Sequence, residues 1–211
     1  MSGYLYRFHP AFEKVKEVLE ERIIGEPYYA VFRVGGRGSH RAWKHKKSEG
    51  GGAINEMLVH MLNLVTWYFD GVEAAQNLST ETVLETREID GEEVEADAED
   101  LTVLRLETVE GAKVLCESDL ITPSYMNYVE IHGTNGSIWT SILDYFPTVV
   151  YCKEPRGVYN QGNNFFEYGR VDLFEKELRH FVESIENGEK PSLNSIEDSV
   201  ETLKVIESVR E

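Results

Sequence analysis

Two ionisable side chains, Glu56 and His60, lie four residues apart in one strongly apolar stretch, GGGAINEMLVHMLNLVTWYF, that runs from residue 50 to residue 69. Side chains at this spacing share one face of an α-helix, so the carboxylate and the imidazole are expected to be neighbours. A histidine next to a carboxylate can act as a general acid or base near neutral pH. The same spacing also fits a core histidine that is satisfied by the glutamate, and the residue types leave both interpretations open.

Two further side chains, Asn63 and Trp67, continue the same line one and two turns later. The rest of the stretch is apolar nearly all round, and a helix of that kind is buried. Three glycines at residues 50–52 precede it, and glycine lets a ligand approach the backbone closely. These features predict a buried helix whose polar line, Glu56, His60 and Asn63, faces a cleft.

A glycine-rich and basic loop over residues 35–49 lies just before this helix. Its side chains include Arg37, His40, Arg41, Trp43, Lys44, His45, Lys46 and Lys47. In so acidic a chain, the loop is either a solvated surface or a rim that attracts a polar or anionic substrate. We expect Trp43 and part of the loop to line the cleft predicted for the helix.

The composition excludes several classes of function. The formal net charge is −17, with 38 acidic against 21 basic side chains, and such a field repels nucleic acid. No apolar run is long enough to span a membrane, and the N-terminal residues lack a signal-peptide pattern. Two separate cysteines, Cys116 and Cys152, have no metal-binding spacing and suit a reducing compartment. We therefore expect a cytoplasmic protein without nucleic-acid or membrane partners.

The order of helix and strand signals predicts an α+β fold with an open, mostly antiparallel sheet and helices packed on one face. The helix at residues 172–187 places five apolar side chains on one face, which predicts that this face is buried: Phe174, Leu178, Phe181, Val182 and Ile185. The predicted segments are a strand at 3–8, a helix at 10–24, a strand at 28–34, the central helix, strands over 73–151, an irregular loop at 153–170, and helices at 172–187 and 195–209.

The predicted helices can cover only one face of the sheet. The strands at residues 101–106 and 113–121 carry apolar side chains on both faces, so the second face needs a cover too. A second copy of the chain is the simplest cover. We therefore expect a homo-oligomer, at least a dimer, joined through the open sheet face.

Several segments taken together resemble the C-terminal domain of the Gfo/Idh/MocA family (glucose–fructose oxidoreductase / inositol dehydrogenase). They are Tyr6-Arg-Phe-His-Pro10 with Ile24-Gly-Glu-Pro27, Gly50-Gly-Gly52 to His60, Val129-Glu-Ile-His-Gly-Thr-Asn-Gly-Ser137, and Phe174 to Pro191 with the final helix. The resemblance implies a sheet domain like the C-terminal domain of glyceraldehyde-3-phosphate dehydrogenase. It also implies that the domain carries a sugar, cyclitol or related polyol substrate and builds the oligomer.

The resemblance further implies hydride transfer to or from NAD or NADP, held by an N-terminal domain that also supplies a lysine from a Glu-Lys-Pro motif. The family's Asp-x-x-x-His pair maps onto Glu56 and His60, with glutamate in place of aspartate. His60 would take or give the hydroxyl proton, and Asn63 stands where the family has a later aspartate. The substrate-binding side chains that we expect are Asn63, Trp43, Arg41, His40 and Arg7.

The cofactor half of such an enzyme is missing from the sequence. No Gly-x-Gly-x-x-Gly follows a strand, and Glu189-Lys-Pro191 lies between the last two helices. We expect residues 1–9 to be a poorly anchored remnant strand of a missing dinucleotide-binding domain, and residues 10–211 to form the substrate-binding and oligomerisation domain. The chain alone should bind no NAD or NADP and be inactive, with a separate dinucleotide-binding domain as a further partner.

Three alternatives stay open. The chain could be a stand-alone, non-catalytic carbohydrate-binding or assembly module with the same fold. A metal site could use Glu56, His60 and a loop histidine such as His40 or His45, but the sequence fixes no third ligand. The resemblance also extends to relatives that use nicotinamide transiently to cleave glycosidic bonds.

Overall fold

A computed structural model describes residues 1–36 and 41–210, and within them eight strands form one open sheet with helices against one face. The predicted α+β class is confirmed. The α-helices are α1 (Pro10–Glu20), α2 (Val59–Tyr68), α3 (Leu173–Glu186) and α4 (Ile196–Ser208). The strands are β1 (Pro27–Gly35), β2 (Val72–Glu81), β3 (Thr86–Ile89), β4 (Glu92–Glu95), β5 (Leu101–Thr108), β6 (Lys113–Asp119), β7 (Met126–Gly133), β8 (Gly136–Thr140), β9 (Thr148–Cys152) and β10 (Gly162–Phe166).

The sheet has the strand order β10-β9-β8-β7-β1-β6-β5-β2, while β3 and β4 form a separate hairpin. Neighbouring strands are antiparallel except for β1 and β6, which pair in parallel. The predicted antiparallel sheet is therefore confirmed. Strand β10 lies inside the segment predicted as an irregular loop, because its asparagine-rich sequence has weak strand propensity and backbone pairing with β9 decides its conformation.

The core lies between the inner face of the sheet and the helices. Alternate residues of a strand point to the same face, and the inward residues of the central strands are apolar and buried, whereas the edge strands β2 and β10 contain no buried residue. Helices α1 and α2 supply the opposing side chains. The buried core includes Phe12, Val15, Phe32, Leu58, Leu62, Val65, Leu104, Leu106, Val114, Cys116, Val129, Ile131, Ile138 and Val150.

The central helix begins with a π-helical turn, Ile54–Leu58, that continues into α2. The wider turn holds Glu56, whereas His60 lies in the first turn of regular α-helix. Such turns are rare and frequently occur at functional sites. None of the helices in the described part of the chain is both long and apolar enough to cross a membrane.

The N-terminal residues differ from their sequence prediction. Leu5–Phe8 form a 3-10 helix, not a strand, and Arg7 and Phe8 are buried. The Ser2 amide donates to the Asn194 carbonyl at 2.9 Å, which ties the first residues to the α3–α4 connection. The predicted strand and its poor anchoring are therefore wrong. The apolar alternation that suggested a strand reflects packing of a short helix against α1, α2 and α3.

Helix α3 presents its apolar face outward. The five side chains predicted to be buried are 40–71% exposed: Phe174, Leu178, Phe181, Val182 and Ile185. Ser184 is the one buried residue of this helix. The amphipathic pattern was identified correctly, but the prediction that the face is buried is wrong because no described element of this chain packs on it.

Candidate functional site

His60 lies at the edge of the core, between the aromatic rings of Tyr4 and Tyr6. The ring centroids are 6.1 Å from Tyr4 and 5.0 Å from Tyr6. The His60 Nδ1 atom is buried and has no hydrogen-bond partner among the described residues. Burial lowers the pKa of His60; the charge of Glu56 opposes this shift, and that of Lys44 adds to it. The neutral imidazole therefore predominates at neutral pH and retains a nitrogen that can accept a proton.

Glu56 forms an ion pair with Lys44, and both side chains are largely buried. The Lys44 ammonium also lies 5.4 Å from the centroid of the Trp43 ring. The basic loop therefore reaches the central helix, and no sequence pattern distinguishes Lys44 from its basic neighbours in this role. Through this pair, Glu56 and Lys44 act with opposite signs on the charge of His60.

Two tyrosines that are distant in sequence extend the site. The Tyr6 hydroxyl contacts the Tyr125 hydroxyl, and burial raises the pKa of both groups. The Asn127 amide lies beside the pair, yet its nitrogen and oxygen make no hydrogen bond of ordinary geometry within the described chain. Sequence analysis missed Tyr125 and Asn127, because no spacing rule connects them with the central helix.

Arg7 and Asn63 belong to a different cluster, which is buried. Arg7 donates from Nε to the Asn63 side-chain oxygen at 2.8 Å and from a terminal nitrogen to the Asn63 carbonyl at 3.1 Å. It also pairs with Asp198 at 3.1 Å, and its guanidinium lies 5.3 Å from the centroid of the Trp67 ring. The Asn63 amide nitrogen donates to the Thr202 hydroxyl at 3.1 Å. This Arg7 network joins the N-terminal segment, the central helix and α4.

The predicted cleft that unites Asn63 with Glu56 and His60 is therefore wrong. The line from Glu56 to Trp67 extends roughly 16 Å along a helix, so its two ends meet different neighbours. The first half meets the basic loop and Tyr6, and the second half meets Arg7. The substrate contacts expected for Arg7 and Asn63 stay predictions, and these side chains already form hydrogen bonds within the chain.

The described part of the basic loop lies near Glu56. Residues Ala42–His45 form a short 3-10 helix, on which Trp43 is exposed and His45 is buried. Arg41 is exposed, whereas His40 lies outside the described residues. Within the described part of the chain, no three histidine, cysteine, aspartate or glutamate side chains converge as metal ligands. The alternative metal site therefore finds no support there.

The glycines before the central helix make room for the chain itself. A Cβ at Gly51 would lie 2.4 Å from the Lys44 carbonyl oxygen, and one at Gly52 would lie 2.2 Å from a Glu99 carboxylate oxygen. Gly52 also has φ of +113°, a conformation that other residues rarely adopt. Gly51 and Gly52 thus allow Lys44 and Glu99 of the chain itself to pack against the helix entrance, whereas a Cβ at Gly50 would meet nothing within 4 Å, and the approach of a ligand there stays a prediction.

A cavity of about 420 Å³ lies apart from the predicted site, beneath the segments that follow β8 and β10. Its lining includes His9, Tyr145 and Tyr168 but none of the side chains that the sequence proposed for substrate. Burial, together with the charge of Lys176, lowers the pKa of His9 to about 4. His9 has a structural task here, because its Nδ1 accepts the Ala11 amide and caps α1.

Residues 1–36 and 41–210 do not form the kind of site that holds a dinucleotide. In known dinucleotide sites the phosphates lie where a strand passes through a glycine-rich turn into a helix. In residues 1–36 and 41–210, α1 follows a 3-10 helix, α2 follows a π-helical turn, and α4 follows α3. Helix α3 follows β10, but the connection contains a single glycine, Gly169. No hydride-transfer step can therefore be built from these residues alone.

Comparison with known proteins identifies similar domains. The family model for the GFO/IDH/MocA C-terminal domain matches residues 12–139, and a comparison with curated proteins finds no match. A levoglucosan dehydrogenase in complex with NADH and levoglucosan has a TM-score of 0.86 and 19% identity over 100% of this chain. An NAD binding oxidoreductase from Klebsiella pneumoniae has a TM-score of 0.84 and 18% identity over 99% of this chain.

The same fold occurs in GenD2 from gentamicin A biosynthesis in complex with NAD, with a TM-score of 0.75 and 22% identity over 99% of this chain. At such identities the likeness concerns the fold alone. The match covers 62% of the levoglucosan dehydrogenase and Klebsiella chains and 59% of GenD2. The chain thus spans less than two thirds of the length of these solved structures.

Proposed function

Because the chain belongs to the GFO/IDH/MocA C-terminal domain family, we propose that it is the substrate-binding and oligomerisation part of an NAD(P)-dependent oxidoreductase. Its substrate is a sugar, cyclitol or related polyol, and the reaction is hydride transfer. NAD or NADP is held by a dinucleotide-binding domain outside these residues, which leaves the chain inactive alone. We place the protein in the cytoplasm.

The observation that carries this proposal is the state of His60. A neutral imidazole with an unpartnered, buried Nδ1 lies one turn from the Glu56–Lys44 ion pair. In the oxidation direction, His60 takes the proton of the substrate hydroxyl, and a nicotinamide held by the other domain would supply the hydride acceptor. Glu56 and Lys44 do not touch the reacting atoms in this scheme but set the proton affinity of His60.

The side chains around His60 suit a polyol. Tyr125 presents a partly exposed ring with a hydroxyl, and Trp43 presents an aromatic face beside a cation. Aromatic faces and hydroxyl groups are the usual means by which a site orients a small polar ligand. We propose that Trp43 and Arg41 contact substrate, together with His40 of the same loop, and that Tyr125 joins them.

A thermal-shift screen of the purified chain tests substrate binding. Sugars, cyclitols, NAD and NADP are added separately, with levoglucosan and L-sorbose in the panel because levoglucosan dehydrogenase is solved with them. A bound polyol stabilises the folded chain by mass action and raises Tm, whereas neither dinucleotide should change it. No shift with any polyol, or micromolar NAD affinity by calorimetry, would contradict the proposal.

We also propose that the outer sheet face joins copies of the chain. The outward side chains of β1, β9 and β10 include Tyr29, Tyr151 and Phe165, all of them exposed. A specific interface buries about 800 Å² on each partner, which can offset the cost of association. Light scattering at low micromolar concentration should therefore give at least a dimer mass. A monomer mass would show that another element covers this face.

A stand-alone carbohydrate-binding or assembly module is the second candidate. The anchoring of residues 1–8 by Ser2 and Arg7 favours it, because the described chain is held together without a second domain. Both candidates predict polyol binding. Only the oxidoreductase part gains turnover when a cofactor domain is supplied, and that turnover then depends on His60.

A further inference from the structure

The cavity of about 420 Å³, which the proposed function leaves unused, lies at the same edge of the sheet as the candidate site. Strand β1 ends opposite the start of β7, at the pair Gly35 and Met126, and β8 ends opposite Val129, near the same start. Strand β9 starts where β8 ends, and β10 ends beside that start. Tyr125 and the segments that follow β1, β8 and β10 therefore share one edge, so a ligand there can contact both regions.

Two aromatic side chains, Tyr6 and Phe12, connect His60 with the cavity. The Tyr6 ring centroid lies 5.0 Å from that of His60 and 5.5 Å from that of Phe12. The Phe12 ring lies 5.9 Å from His9, which lines the cavity. The candidate site and the cavity are therefore neighbours, three ring contacts apart.

His9 offers the cavity a hydrogen-bond donor that the chain does not use. The residue is only 9% exposed, and its Nδ1 accepts the Ala11 amide at 3.2 Å. Burial and the charge of Lys176 lower the pKa of His9 to about 4, so at neutral pH the ring is uncharged and its one proton lies on Nε2. This N–H has no hydrogen-bond partner within the described residues. An oxygen of a ligand in the cavity can accept it.

The rest of the lining combines aromatic rings with polar groups that have no partner of their own. Tyr145 and Phe146, in the segment after β8, are 72% and 41% exposed. The side chains of Asp144, Glu167 and Arg170 form no ion pair or hydrogen bond with other residues that the structure describes. Aromatic faces with a few polar groups orient a small polar ligand, and two carboxylates against one arginine disfavour an anion. The lining therefore fits an uncharged, hydroxylated ring.

We propose that the cavity binds the second ring of a disaccharide whose first ring is oxidised beside His60, an inference that rests on the proposed function. Each ring-to-ring step between His60 and His9 is comparable with the width of one sugar ring, so two linked rings can contact both histidines and one cannot. The volume lies within the range of about 300–1,000 Å³ that is usual for small-molecule sites. Tyr145 and Phe146 stack on the second ring, Asp144 accepts from one of its hydroxyls, and His9 Nε2 donates to one of its oxygens.

Dissociation constants from thermal-shift titrations of the purified chain test the second ring. The probes are D-glucose with maltose and cellobiose, and D-galactose with lactose. At least one disaccharide should bind tenfold or more tightly than its monosaccharide, because the linked ring adds contacts without a second loss of translational freedom. Tyr145→Ala and Asp144→Asn should each reduce this advantage to below threefold. Tyr28→Ala is the matched control and should retain it, since Tyr28 is 56% exposed at the opposite end of β1.

Three results would overturn the second-ring proposal while the proposed function stands. The first is monosaccharide binding with a disaccharide advantage below tenfold for every pair in the unchanged chain. The second is an advantage that persists in both Tyr145→Ala and Asp144→Asn, and the third is an equal loss in Tyr28→Ala. Thermal melting checks the fold of each variant, and these exposed positions should change Tm little. No shift with any of these sugars, or with the wider panel of sugars and cyclitols, would instead contradict the proposed function.

Discussion

Replacing His60 by alanine is expected to lower kcat/KM for polyol oxidation about 100- to 10,000-fold in the chain fused to a cofactor domain. This range is typical of removing one general base. The physical reason is that the neutral imidazole of His60, whose Nδ1 has no hydrogen-bond partner among the described residues, is the proposed acceptor of the hydroxyl proton. The measurement is NADH formation with the polyol that gives the largest thermal shift. His180→Gln is the control, since His180 lies on α3 and contacts Phe8 instead.

The pH profile separates this role from a structural one. Since the pKa of His60 is lowered, activity that needs the neutral imidazole should persist to a pH below the ordinary histidine value of 6.5 and fall on further acidification. Glu56→Gln removes a charge that raises the pKa of His60, so the acid limb should move to lower pH. Lys44→Gln removes a charge that lowers it, so the limb should move to higher pH. Identical acid limbs in both variants, or full activity of His60→Ala, would refute the assignment.

The largest stability effect is expected at Arg7. Arg7→Ala should reduce the free energy of unfolding by about 3 kcal/mol, because removal of one partner leaves a charge and an amide unpaired in a largely buried network. The Asp198 side chain is 30% exposed, and water reaching it keeps the cost near the lower end of the range for buried pairs. Urea denaturation monitored by tryptophan fluorescence measures the change. Arg179→Ala is the matched control, since that arginine forms a surface ion pair within α3 and should change the free energy by less than about 0.5 kcal/mol.

The network can also be tested through its coupling. Arg7→Ala and Asn63→Ala remove the two ends of the hydrogen bond between Arg7 Nε and the Asn63 side-chain oxygen, so the double variant should lose less stability than the two single losses combined. Burial raises the pKa of Asp198, but Arg7 and the hydrogen bonds from Ser195 lower it more, and the net direction is down. A carboxyl whose pKa is lower in the folded than in the unfolded chain stabilises the fold at pH values above its unfolded pKa. This stabilisation is lost as pH falls through the folded pKa. Stability of Arg7→Ala equal to that of the unchanged chain would mean that the network holds no part of the fold.

The fold class could be predicted from local sequence patterns. The hydrophobic period of a helix or strand and the residue types of a turn both act over a few neighbouring residues. β-Branched and aromatic runs identified most of the strands, and Glu110-Gly111 marked the β5–β6 hairpin. The central stretch was apolar enough to predict a buried helix, and α2 with its π-helical turn occupies that place. At Leu5–Phe8 the alternation of aromatic residues predicted a strand, and this prediction was wrong. These residues form a 3-10 helix, in which Arg7 is buried and donates to Asn63.

The sequence by itself determined the fold class, the one-turn relation of Glu56 and His60, and, through several dispersed segments, the family. Each follows from neighbours along the chain. Only the tertiary structure decided the partners of these groups: Lys44 for Glu56, Tyr6 and Tyr125 beside His60, and Arg7 for Asn63. It alone showed that the apolar side of α3 faces outward. The reason is that an apolar stripe predicts burial without identifying the element that covers it. Side chains 12 to 119 residues apart meet only when the sheet and its helices have packed.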